Sequence, residues 1–173
     1  MMKKERIGFM LLAFLAIFSF AGIYGGFVTG TLGKIALIDP PAEDYCGLVQ
    51  KVVPMEDVSF GDVVYITSTS GPGYPYVAKA DADATTTLGD IRIMVASANS
   101  MGPAPSLVEG IIHHPAYAFT SAGLPVHVSN TAGLVTTTDL SAGYTQIIGY
   151  SQSPGVLKFR PSYNITEVEV AEE

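Results

Sequence analysis

The residues of this chain that could do chemistry are few and widely spaced. His113, His114 and His127 are its only histidines. Neighbouring residues on a strand point to opposite faces, so His113 and His114 chelate one ion only if the strand breaks, as Pro115 would allow. Zinc also wants a third or fourth ligand at about 2 Å, and His127 is the remaining candidate. Asp81, Asp83 and Asp90 offer carboxylate oxygens of the kind Ca²⁺ takes. Their spacing lacks the glycine and the closing Glu of an EF-hand loop, so a solvated acidic corner is expected. Ser, His and Asp are all present, but no Gly-x-Ser-x-Gly elbow exposes a nucleophile. The single Cys46 excludes an intrachain disulfide. It is expected to be a small buried thiol, with a bridge between subunits as the alternative. The expectation is no catalytic residue, no metal site and no cofactor.

Any such groups would be positioned by a β-rich body. The chain has 173 residues, with Gly 18, Pro 11 and no Trp. Frequent Gly and Pro among many Val, Thr and Ser suit short strands joined by turns. Beyond Arg6 the chain carries six basic and fifteen acidic residues. A net charge near −9 opposes a nucleic-acid surface, which needs clustered Lys and Arg.

The N-terminus has a different composition. Lys3, Lys4 and Arg6 precede an uncharged run over 7–28. That run matches the roughly 20 apolar residues of a membrane-spanning helix. Ser19-Phe20-Ala21 equally offers small residues for signal cleavage after Ala21. Residues 1–29 are therefore read as a signal peptide or a membrane-anchor helix, and 30–173 as one all-β domain. Either way the basic end stays inside and the body is exported. A pilin-type leader, cut before Phe9, is a third reading, although Ala13 stands where bacterial pilins carry Glu.

Strands are expected at 34–38, 48–53, 58–67, 76–79, 91–96, 106–113, 125–129, 134–138, 146–151 and 156–160. In the strand over 58–67, Val63 and Tyr65 share one face and Val64 and Ile66 the other, so both faces should be covered. Residues 116–119 continue or kink the strand before them. Residues 68–75 and 99–105 read as Gly/Pro loops, and 81–87 as a polar corner. Phe159 to Pro161 packs the last of these strands, and Pro161 is expected to block further pairing. The Glu/Val alternation over 167–170 suggests a charged edge strand. Strands this short and frequent predict a single antiparallel barrel or sandwich, preceded by the hydrophobic helix.

The order of several short runs resembles a β-rich C-terminal domain of phage tail-fibre-like and other virion structural proteins. The runs are Gly33-Lys34-Ile35-Ala36-Leu37-Ile38-Asp39-Pro40, Phe60-Gly61-Asp62-Val63-Val64-Tyr65-Ile66 and Ala78-Lys79-Ala80-Asp81-Ala82. They continue with Gly123-Leu124-Pro125-Val126-His127-Val128-Ser129, Gly133-Leu134-Val135-Thr136-Thr137, Ile147-Ile148-Gly149-Tyr150 and Phe159-Arg160-Pro161-Ser162-Tyr163. The resemblance spans about 30–170. It implies a non-enzymatic structural role in an oligomer and no catalytic residues. That domain usually ends a longer protein, whereas here it follows a hydrophobic leader, which suits an exported or membrane-anchored version.

Three functions follow as expectations. The first is a virion component, capsid-, spike- or fibre-like, assembling with itself or with a larger shell. The second is a cell-surface or pilus-like filament subunit that polymerises through its hydrophobic N-terminus. The third is an exported ligand- or glycan-binding module using Tyr74, Tyr76 and Tyr117. The expected partners are further copies or other surface subunits, the membrane through 7–28 if the leader stays uncleaved, and no nucleic acid. Asn164-Ile165-Thr166 is a glycosylation sequon, expected to be unused in a bacterial or phage setting.

Overall fold

The computed structural model describes residues 42–68, 73–99 and 102–168. The expected hydrophobic helix, the strand over 34–38 and the far end of the acidic tail lie outside the described residues. The body is all-β. Its strands are β1 (Asp44–Pro54), β2 (Val63–Ser68), β3 (Tyr76–Lys79), β4 (Ile91–Met94), β5 (Ala104–His113), β6 (Pro125–Val128), β7 (Val135–Thr136), β8 (Tyr144–Ser153), β9 (Val156–Phe159) and β10 (Ile165–Glu167), with one 3-10 turn at Thr85–Thr87.

Neighbouring strands follow the order β1-β3-β2-β4-β5-β9-β8-β6-β7, with β10 also on β8 and β1 also on β5. The pairing β1-β3-β2-β4-β5 therefore returns to β1. The joint between β1 and β3 is parallel, Val53↔Tyr76 and Pro54↔Val77. This corrects the expectation of antiparallel pairing throughout. The donors at the joint are Val53 N–H to Pro75 O and Met55 N–H to Val77 O, both 2.9 Å. They flank Pro54, which has no N–H to give.

The strand expected over 58–67 is broken. Val58 forms an isolated bridge with Ala98. Asp62 N–H then donates back to Ser59 O, and the Asp62 carboxylate accepts from Ser59 N–H at 2.9 Å. Gly61 has φ 89°, a left-handed turn conformation that glycine adopts without strain. The chain restarts as β2 at Val63, and there the two-faced reading holds. Val63, with Tyr65 packed against the same cluster, belongs to the larger core of Ile91, Ile93, Leu107, Ile112, Ile148, Leu157 and Phe159. Val64, with Ile66, belongs to a second core of Val52, Val58, Val77, Met94 and Ala104. Each such buried side chain contributes roughly 1.5–3 kcal/mol.

Other elements differ in detail. Residues 116–119 form no strand, because Tyr117 N–H closes a turn on His114 O at 3.0 Å. Pro161 was expected to end pairing after β9. Instead the chain keeps tracking β8: Arg160 N–H donates to Ile148 O, Ser162 N–H to Ile147 O, and β10 follows. Pro161 falls between two donors, so its missing N–H costs nothing. The acidic tail expected as an edge strand enters the sheet earlier, at Ile165–Glu167.

A row of close-packed backbone crosses four strands, with Gly47 opposite Gly110, Gly110 opposite Phe159 and Phe159 opposite Gly149. A Cβ on Gly110 would stand 2.1 Å from Cys46 O, and one on Gly149 2.1 Å from Lys158 O. The fully buried Phe159 lies between two residues with no side chain, so the sheet can draw close along this line.

Candidate functional site

The densest polar and aromatic constellation is built where β2, β3 and the turn after β5 meet. His114 stacks on Phe60 at 5.7 Å and on Tyr117 at 5.0 Å between ring centroids. Tyr117 continues the ladder to Phe119 at 5.4 Å. The Tyr117 hydroxyl donates to Gly61 O at 2.8 Å. Below the ladder, Lys79 Nζ lies 3.2 Å from Asp62 Oδ2. The Lys79 backbone N–H donates to Glu56 Oε1 at 2.8 Å.

These contacts assign each group a bracing job. Burial above all, with the Asp62 carboxylate second, pushes the Tyr117 phenol far above its ordinary value, so it stays a hydrogen-bond donor. His114 Nδ1 accepts the Ala116 backbone N–H at 3.0 Å, which fixes the orientation of the ring. Gly61 admits this ring because a Cβ there would lie 2.1 Å from His114 Cδ2. The site is an aromatic buttress on the turn that launches β2.

The remaining candidates lie elsewhere. His113 ends β5 and sits beside the β8–β9 turn, with its ring 3.1 Å from where a Cβ of Gly155 would be. His127 lies on β6, its Nδ1 2.7 Å from Thr145 Oγ1. Burial lowers the His127 pKa from its usual value, and Asp139 partly offsets this. The three histidines therefore occupy three separate settings. Among the described residues, no group of three or more His, Cys, Asp or Glu is placed to hold a metal ion.

The aspartates are also occupied. Asp81 Oδ1 accepts from Asp83 N–H at 3.1 Å and from Thr87 Oγ1 at 3.0 Å, closing the polar corner. Asp90 grips the buried Arg92 with both carboxylate oxygens. Cys46 is buried in β1. Asn164 is exposed. Of the tyrosines considered for ligand binding, Tyr74 is exposed and Tyr76 half-buried, but Tyr117 is buried in the core. Tyr117 is thus withdrawn from any surface platform: the turn at His114 folds it inward.

One structural residue was not singled out from the sequence. Gln146 is fully buried on β8. Its Oε1 accepts from Gly89 N–H at 2.8 Å, and its Nε2 donates to Gly89 O at 2.7 Å and to Ser162 O. It ties the turn before β4 to β8 and the C-terminal segment. An amide beside Ile147-Ile148 in the strand was the only available signal.

No family model, no curated protein and no solved structure matches this chain.

Proposed function

We propose that this protein is a non-enzymatic structural component of a virion or cell surface, exported by its hydrophobic leader and assembling with copies of itself. We read the ring β1-β3-β2-β4-β5 as a small closed barrel extended by β6 to β10. The observation that carries the proposal is how the side chains are used. His114, Asp62, Lys79, Asp90, Arg92 and Tyr117 brace turns and strands. Leu48, Leu134, Tyr150 and Tyr163 point large apolar surface outward. An assembly would cover groups of this kind, which are enriched at protein interfaces. The ordered runs that resemble those of virion β-domains support the same reading.

Light scattering of the full chain tests it. Self-association that survives removal of the leader supports the reading, and a strict monomer at high concentration sinks it. Mass spectrometry of the mature N-terminus separates the settings: Gly22 marks a freely exported domain, Phe9 a pilus-like filament, and Met1 or Met2 a membrane anchor.

A further inference from the structure

The outward face of β1, β5, β9 and β8 carries apolar, acidic, basic and apolar groups in strand order. Cross-strand partners share a face. Leu48 stands opposite Glu109, Ile111 opposite Lys158, and Lys158 opposite Tyr150. Arg160, two residues beyond Lys158, reaches Glu109 at 3.6 Å, and both side chains are mostly exposed. Leu48 is 46% and Tyr150 50% exposed. The cations here differ from Lys79 and Arg92, which Asp62 and Asp90 hold at less exposed positions.

We infer that this face is a two-fold interface with a second copy of the chain; the inference rests on the self-assembly proposed above. The argument is self-complementarity. A two-fold axis along the strands, midway between β5 and β9, exchanges β5 with β9 and β1 with β8. Glu109 then meets Arg160 of the second copy, and its own Arg160 meets the other Glu109. Ile111 lies under the aliphatic stem of Lys158 of the second copy. Tyr150 covers the second copy's β1 at the level of Cys46, two residues along the strand from Leu48. Four strands at about 4.8 Å spacing make this strip about 14 Å wide. Facing sheets keep their strands within about 30° of each other, so the two central strands stay in register near the axis. A two-fold contact requires one patch to present both halves of each interaction, and this face does. The rest of the body is acidic and repels its own copies.

The test uses the full chain in mild detergent, carrying two different affinity tags. Wild type should capture wild type. E109R should lose capture of itself at least about tenfold, because two cations then face two cations. R160E should lose it likewise. Mixing E109R with R160E should restore capture, since one chain then presents cations at both positions and the other presents carboxylates at both. An ion pair acting only within one chain produces no such rescue. Y150E should weaken capture in every pairing, independently of the charges. If wild type captures itself while E109R and R160E do so equally well, or if mixing rescues nothing, this face is not the contact and the inference falls alone. If wild type fails to capture itself, the assembly reading falls with it.

Discussion

Replacing Gln146 by Leu tests whether a single buried amide holds the turn before β4 against β8 and the C-terminal segment. The side chain is fully buried and makes three hydrogen bonds, two to Gly89 and one to Ser162 O. Leu has nearly the same volume, so little cavity forms. It strands the Gly89 N–H and the Ser162 carbonyl, while the Gly89 carbonyl keeps the Ile91 N–H at 3.0 Å. Each buried polar group left without its partner costs about 1–3 kcal/mol. The added apolar burial returns roughly 1.5–3 kcal/mol. At mid-range the two stranded groups outweigh that return by about 2 kcal/mol, a sizeable share of the 5–15 kcal/mol typical of a folded domain. Urea denaturation followed by tyrosine fluorescence should show the midpoint falling with the slope unchanged. Gln146→Glu sharpens the test. Its carboxylate can accept from Gly89 N–H but faces two carbonyls with no proton to donate. Burial favours the neutral form and raises the folded-state pKa. The variant should then be least damaged in acid and lose stability as pH rises above the unfolded carboxyl value near ~4.3. Gln146→Leu within about 0.5 kcal/mol of wild type, together with a Gln146→Glu variant that loses no stability as pH rises, would refute the clamp.

Other perturbations probe different parts of the fold. Gly110→Ala should destabilise by more than about 3 kcal/mol, since its Cβ would lie 2.1 Å from the Cys46 carbonyl oxygen at φ 153°; thermal melting checks it, and an unchanged midpoint would show that β1 and β5 can separate freely. Tyr117→Phe should cost about 1–2 kcal/mol through the bond lost to Gly61 O. In the native protein, alkaline difference spectroscopy should find Tyr117 un-ionised after exposed tyrosines have titrated, because its pKa is raised. The stability linked to that shift is present below the unfolded phenol value near ~10 and is lost above it. His127 has a lowered pKa in the fold, so the unfolded state takes up its proton first; stability should fall as pH drops below about 6.5, and His127→Gln should flatten that slope. An identical pH profile in the variant would place the acid sensitivity elsewhere.

Much of the architecture was legible because it is local. Val63, Val64, Tyr65 and Ile66 alternate between two cores as their period demands. Gly133 marks the turn before β7, whereas the strand expected over 58–67 ran through the turn that Gly61 and Asp62 form before β2. These signals need only the residues beside them. Errors came where partners decide. Pro161 looked like a terminator, yet its place between two donors depends on how the chain lies along β8. Tyr117 looked available to solvent, and only the turn at His114 turns it onto Gly61. Gln146 looked ordinary, since Gly89 is 57 residues away in sequence.

The candidate site divides in the same way. Composition and spacing by themselves determined an acidic, turn-rich, all-β body with scattered histidines, because propensity and alternation act over a few residues. Tertiary structure alone decided that His114 stacks between Phe60 and Tyr117, that Asp90 serves Arg92, and that β1 returns to β5. It also decided that Leu48, Glu109, Lys158, Arg160 and Tyr150 share one outward face. Strand pairing joins residues far apart in the chain, and its register, set by the packing of both cores, determines which side chains meet.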